Sequence, residues 1–183
     1  MTNDPGRPRR ATNWYVITGG PSSGKTTTVD LLRQRGYKTT IEHARHYLDT
    51  QRAAGRSVDD IRGHQREFQL SVLEMQIAQE RSLSPDDTVF LDRAIPDALA
   101  YYRFLGLEPD KKLLDALETV SYKKVFILDM LPLVNDYART EDAESQKLIH
   151  TLLTEVYGSL PFPVVRVPVL APNDRVDLIL DNL

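Results

Sequence analysis

Residues Gly19, Gly20, Pro21, Ser22, Ser23, Gly24, Lys25 and Thr26 fit the pattern G-x-x-x-x-G-K-[ST] of a phosphate-binding loop, and no other segment constrains the fold as much. Such a loop works only where a strand ends and a helix begins, because its backbone N–H groups must converge at a helix N-terminus. Trp14 to Thr18 is apolar and β-prone, and Thr26 to Arg33 reads as a helix closed by basic residues and Gly36. The spacing therefore predicts a strand-loop-helix unit. In it Gly19 to Gly24 wrap a phosphate, together with Lys25, Thr26 and Thr27. Lys25 reaches the β- and γ-phosphates, and the Thr26 hydroxyl serves Mg²⁺.

The rest of the chain predicts how that unit is extended. Further strands are expected at Tyr37 to Ile41, Thr88 to Asp92, Lys124 to Asp129 and Pro163 to Leu170. Two of them are continuous apolar runs, the pattern of parallel strands covered by helices on both faces. Helices are expected at 43–54, 57–81, 96–105, 109–119, 140–157 and 174–180, with Gly55 dividing the long second crossover, Pro96 and Pro109 at first helical positions, and Gly106 and Gly158 as terminators. The expected fold is α/β, with three layers and a mostly parallel five-stranded sheet.

At 183 residues and 41% hydrophobic content, the chain is expected to form one domain over 13–183, preceded by a flexible basic arm at 1–12 with Arg7, Arg9 and Arg10. Without cysteine, it has no disulfide scaffold, thiol nucleophile or cysteine metal cluster. The net charge of −3 disfavours general nucleic-acid binding. No segment reads as a signal peptide or membrane span, so the expected location is the cytoplasm.

Four other features carry chemistry. Asp92 ends an apolar strand, where a carboxylate organises Mg²⁺, acting through water; the competing reading is a turn cap. Arg93 follows it, where motor ATPases usually place a glutamate, which favours group transfer over hydrolysis. Glu42, at the end of strand two, can take a proton from an acceptor hydroxyl or pair at the surface with Arg45. Arg139, in the polar run 135–142, can clamp the transferring phosphoryl group or bond Glu141 or Asp142.

Less specific features surround these. Ile61, Phe68, Val72 and Met75 mark a core stripe, with Arg62, Gln65, Arg66 and Gln69 largely off it. Arg62 and Arg66 are therefore either solvated or substrate contacts. Tyr101, Tyr102 and Phe104 either stack on an acceptor ring or pack into the core. His43 and His46 share a helix face without a third metal ligand in evidence.

The runs G-G-P-S-S-G-K-T-T, I-E-H-A-R, F-L-D-R-A-I-P-D-A-L-A-Y-Y, Y-A-R-T-E-D and V-V-R-V-P-V span nearly the whole chain after the arm. Together they resemble a family of predicted P-loop ATPases that includes the ribosylnicotinamide kinase domain of NadR and the TRPL-translocation-defect proteins. The phosphate loop is generic, whereas D-R-x-x-x-D-x-x-x-Y and the glutamate after strand two are more specific. The resemblance implies a nucleotide-kinase-like fold with sheet order 2-3-1-4-5. It also implies Glu42 and Asp97 near the acceptor, Arg93 near the transferred phosphate, and Arg139 in a lid.

The leading expectation is an ATP- and Mg²⁺-dependent kinase acting on a nucleoside-like small molecule. The alternative is a nucleotide-dependent module that binds a protein partner. The missing N-K-x-D signature disfavours a Ras-like switch without deciding between ATP and GTP.

Overall fold

The computed structural model describes residues 10–131 and 142–183. Five strands alternate with eight helices among these residues: β1 (Trp14–Thr18), α1 (Lys25–Gln34), β2 (Lys38–Thr39), α2 (His43–Ala53), α3 (Val58–Gly63), α4 (Gln65–Ser82), β3 (Val89–Asp92), α5 (Ile95–Phe104), α6 (Lys111–Thr119), β4 (Lys124–Leu128), α7 (Ala143–Gly158), β5 (Val164–Val167) and α8 (Pro172–Asp181). The sheet order is β2-β3-β1-β4-β5. Every pairing is parallel, with Ile17 opposite Asp92 on one side and Phe126 on the other. This is the three-layer fold of phosphate-loop proteins, and its parallel sheet is complete where a mostly parallel one was expected.

The continuous apolar runs divide by pleat between two cores, because successive side chains of a strand point to opposite faces. Val16, Val89, Leu91, Val125 and Ile127 pack with Leu73 of α4, Ala100 of α5 and Leu153 of α7 on one face. Tyr15, Ile17, Phe90, Phe126 and Leu128 pack with Val29 and Leu32 of α1 and Val176 and Ile179 of α8 on the other. Tyr15 stacks on Phe90 with ring centroids 5.3 Å apart. A third, smaller cluster of Leu48, Ile61 and Phe68 ties α2, α3 and α4 into an outlying layer.

Several boundaries differ from expectation. Strand two keeps only Lys38 and Thr39; Thr40 still donates to Phe90 O, but Ile41 is exposed and Glu42 caps α2. The expected helix 57–81 is two helices, because His64 leaves the helical region (φ −103°, ψ 59°) and serves as both C-cap of α3 and N-cap of α4. Ser57 caps α3 as its spacing to Asp60 requires, with Asp60 N donating to Ser57 Oγ at 3.1 Å. Pro109 does not open α6: Asp110 caps it, accepting from Leu113 N at 2.9 Å. Pro168 has no N–H to donate and β5 ends before it. The expected start of helix 140–157 falls outside the described residues, and α7 begins at Ala143 behind the Asp142 cap.

Candidate active site

The ends of β1, β3 and β4 converge on the phosphate loop, as the crevice outside the carboxyl ends of parallel strands requires. Gly19 is at φ +149°, and a Cβ there would meet Leu128 O at 2.7 Å and Ser23 Oγ at 2.8 Å. Only glycine lets the chain turn this close to β4. Gly24, at φ +83°, is the N-cap of α1. Ser22 takes φ +58° without being glycine, strain worth about 1 kcal/mol that the surroundings must hold. Lys25 is 2% exposed, whereas Thr26 and Thr27 are exposed on the first turn of α1.

Asp92 closes β3 and is 5% exposed. Its N–H donates to Thr40 Oγ1 at 2.9 Å, while its carboxylate Oδ1 is buried without a hydrogen-bond partner among the described residues. Burial pushes its pKa up to about 7, helped by the charge of Glu42 and opposed by Lys25 and Arg93. A buried carboxylate with a bare oxygen beside a phosphate loop suits a hard divalent cation. Among the described residues no group of three or more His, Cys, Asp or Glu side chains is placed to hold a metal ion.

Arg93 joins the parts. Its backbone is left-handed at φ +66°, with its N–H donating to Ile17 O at 3.0 Å and its carbonyl accepting from Gln76 Nε2 at 3.5 Å. From there its guanidinium donates to Gly19 O at 3.3 Å, Asp97 Oδ1 at 2.8 Å and the Tyr101 hydroxyl at 3.1 Å; its Nε lies 3.5 Å from Glu42 Oε1. Burial works against this charge, but Tyr101, Asp97 and Glu42 outweigh it and raise the pKa further.

Asp97, one turn into α5, accepts from Thr18 Oγ1 at 2.6 Å and Arg93 Nη1 through one oxygen, and from Ala94 N at 3.1 Å and the Tyr157 hydroxyl at 2.5 Å through the other. Both oxygens are thus engaged in fixing β1, α5, α7 and Arg93 to one another.

A cavity opens from Pro21 of the loop, past Glu42, Arg93 and Asp97, to Arg62 and Gln65. Phe68, Tyr101 and Phe104 give it flat apolar walls, and Gln69 and Gln76 give it amides. Tyr101 faces this space, while its neighbour Tyr102 is fully buried and donates to Asp110 Oδ2 at 2.8 Å. Arg66 lies apart from the lining: it donates to Glu108 O at 3.3 Å and sits 6.0 Å from the centre of the Tyr102 ring. His43 Nε2 lies 2.7 Å from Gln79 Oε1. Arg139 lies outside the described residues, as do Arg7 and Arg9.

Sequence reasoning missed several polar groups. Gln69 was expected on a solvated face, yet Gln69, Gln76 and Glu80 are buried. Their spacing of seven and four places them on one face of α4, a polar stripe among Phe68, Val72 and Leu73 that could have signalled a lined cavity. Glu80 accepts from Gln76 Nε2 (2.9 Å), Ile95 N (3.1 Å) and the Tyr122 hydroxyl (2.9 Å), thereby holding the start of α5. Arg175, 3% exposed, donates to Ser23 O at 2.5 Å, Asp129 O at 2.9 Å and Pro168 O at 2.9 Å. Nothing in its sequence surroundings distinguishes it from a surface arginine of α8.

Fold and loop together define a doubly wound, phosphate-loop protein. The AAA domain family matches residues 14–175, and the chain belongs to that family. No curated protein matches it in sequence. Among solved structures it is similar to deoxyadenosine kinase from M. mycoides with products dCMP and a flexible dCDP bound, at TM-score 0.66 and 14% identity over 92% of this chain and 97% of that one. It is also similar to the same kinase with bound dATP, at TM-score 0.64 and 15% identity over 92% and 98%. NadR protein in complex with NR gives TM-score 0.65 and 19% identity over 94% of this chain, which spans 50% of the NadR chain. No helix among the described residues is long and apolar enough to cross a membrane.

Proposed function

We propose that the chain is a small-molecule kinase that transfers the γ-phosphoryl group of ATP to a hydroxyl of a nucleoside-like acceptor. The observation that carries this reading is the cavity that joins Pro21 of the phosphate loop to Glu42, Arg93 and an aromatic wall. Donor and acceptor are then adjacent, which is most of what phosphoryl transfer asks of a protein. Similarity of fold to deoxyadenosine kinase and to NadR supports it. The likeness to TRPL-translocation-defect proteins rests on sequence motifs.

In this reading the acceptor ring lies between Phe68 and Tyr101, with Arg62 and Gln69 at its polar edge. Glu42 takes the proton as the acceptor oxygen bonds to the γ-phosphorus and the bond to the ADP oxygen breaks. Arg93 and Lys25 offset charge on the phosphoryl oxygens, and Arg139 supplies a further cation. Asp97 keeps Arg93 in place. Thr26 and Asp92 would hold Mg²⁺, which neutralises the triphosphate when bound. The protein would work in the cytoplasm as one domain over 13–183.

A crystal structure with a nonhydrolysable ATP analogue, Mg²⁺ and candidate nucleosides tests the arrangement. A nucleoside hydroxyl within hydrogen-bond reach of Glu42 supports it; a nucleoside bound elsewhere, or the analogue bound away from Gly19 to Thr26, contradicts it.

A further inference from the structure

The phosphate loop is gripped from outside by α7. Gly20 N donates to His150 Nδ1 at 3.4 Å. One turn earlier, Gln146 Nε2 donates to Pro21 O at 2.5 Å and Leu131 O at 3.3 Å. Both side chains are buried, and the fit is close: a Cβ at Gly20 would lie 3.1 Å from His150 Cβ and 3.2 Å from Gln146 O. Beyond Ser22, Arg175 holds Ser23 O. The strained Ser22 thus sits between backbone groups fixed by side chains from two helices.

We propose that Gln146 and His150 are positioning residues of the nucleotide site, and that His150 makes nucleotide affinity depend on pH. The proposal rests on the reading of the loop as the donor site. Neutral imidazole accepts the Gly20 N–H through its Nδ1 lone pair; protonated imidazole carries a hydrogen there, so two donors face each other and the contact is lost. A loop released from α7 must be re-ordered when nucleotide binds, which weakens binding.

The surroundings keep the ring neutral near pH 7. Burial lowers its pKa from the usual histidine value; Asp129 beyond β4 opposes this and Arg166 of β5 reinforces it. Those two groups pair with each other at 2.8 Å. Arg175 is turned onto backbone carbonyls, and α5 directs Asp97 to Tyr157, two turns further along α7. Lys147, on α7 itself, is exposed.

The test is calorimetric titration of the full chain with Mg·ADP from pH 5.5 to 8. In His150→Asn, Oδ1 takes the place of Nδ1 as acceptor and does not titrate. This variant binds about three-fold more weakly than wild type at pH 8, and the wild-type advantage shrinks as pH falls and the wild-type histidine takes up a proton. Titration of the nucleotide and of Asp92 is common to both proteins and cancels in the ratio. Gln146→Ala binds about ten-fold more weakly throughout and keeps the wild-type pH slope. A wild-type-to-variant ratio constant with pH, or unchanged affinity in Gln146→Ala, overturns the proposal. Absence of Mg·ADP binding by wild type at every pH overturns the donor-site reading and the clamp with it.

Discussion

Arg93 and Asp97 form a buried ion pair of 2.8 Å at the start of α5, and the same guanidinium lies 3.5 Å from Glu42. One cation therefore stands between two carboxylates, and it also donates to the carbonyl of Gly19 in the phosphate loop. The phosphate loop and the neighbouring cavity are linked through this side chain, so its geometry counts as much as its charge.

Arg93→Lys keeps the charge but loses the planar fork that reaches Asp97, Tyr101 and Gly19 together. Turnover should fall about 100-fold or more, on the order of 3 kcal/mol in the transition state. Steady-state kinetics against ATP and acceptor check this; wild-type turnover would show that the fork is not used.

Glu42→Gln removes the proposed base while leaving an amide of the same size. Turnover should drop about 100-fold with the KM for ATP within about two-fold, since the donor loop is untouched. Equal losses in nucleotide affinity and turnover would instead point to a structural role at the cap of α2.

Lys25→Ala removes the buried loop cation beside Asp92. Nucleotide affinity should fall about ten-fold or more, read by calorimetry with an ATP analogue, while circular dichroism reports an intact fold.

Glu80 lends the fold a pH dependence of its own. Burial pushes its pKa from 4.5 up to about 7, against hydrogen bonds from Gln76, Tyr122 and Ile95 N–H. The folded state therefore binds this proton more tightly than the unfolded chain. The resulting stability is fully present below pH 4.5 and is lost as pH rises to about 7. The span corresponds to about 3 kcal/mol. In Glu80→Gln this contribution is absent, so denaturant melts at pH 5 and pH 8 should differ less than in wild type; equal differences would refute it.

Much of this organisation could be read from the chain. The loop at Gly19 to Thr26 and the continuous apolar runs led to a parallel sheet, because each is a local pattern that demands a particular strand and helix setting. Strand two was overextended because the chain leaves the sheet after Thr39 and Glu42 already stands at the N-cap position of α2. The shared face of Gln69, Gln76 and Glu80 lay in their spacing, but the break at His64 and the depth to which those three are buried depend on what α4 packs against. The grip of Gln146, His150 and Arg175 on the loop spans more than 120 residues of sequence. Only the closed fold brings those groups together.

The most direct measurement is mass spectrometry of a nucleoside panel after incubation with the full chain, ATP and Mg²⁺. At least one nucleoside-like acceptor should gain a single phosphoryl group, with equimolar ADP, and Lys25→Ala and Glu42→Gln should form product far more slowly than wild type. Tight ATP binding with no phosphorylated acceptor would contradict the kinase reading and favour a nucleotide-dependent module acting on a protein partner.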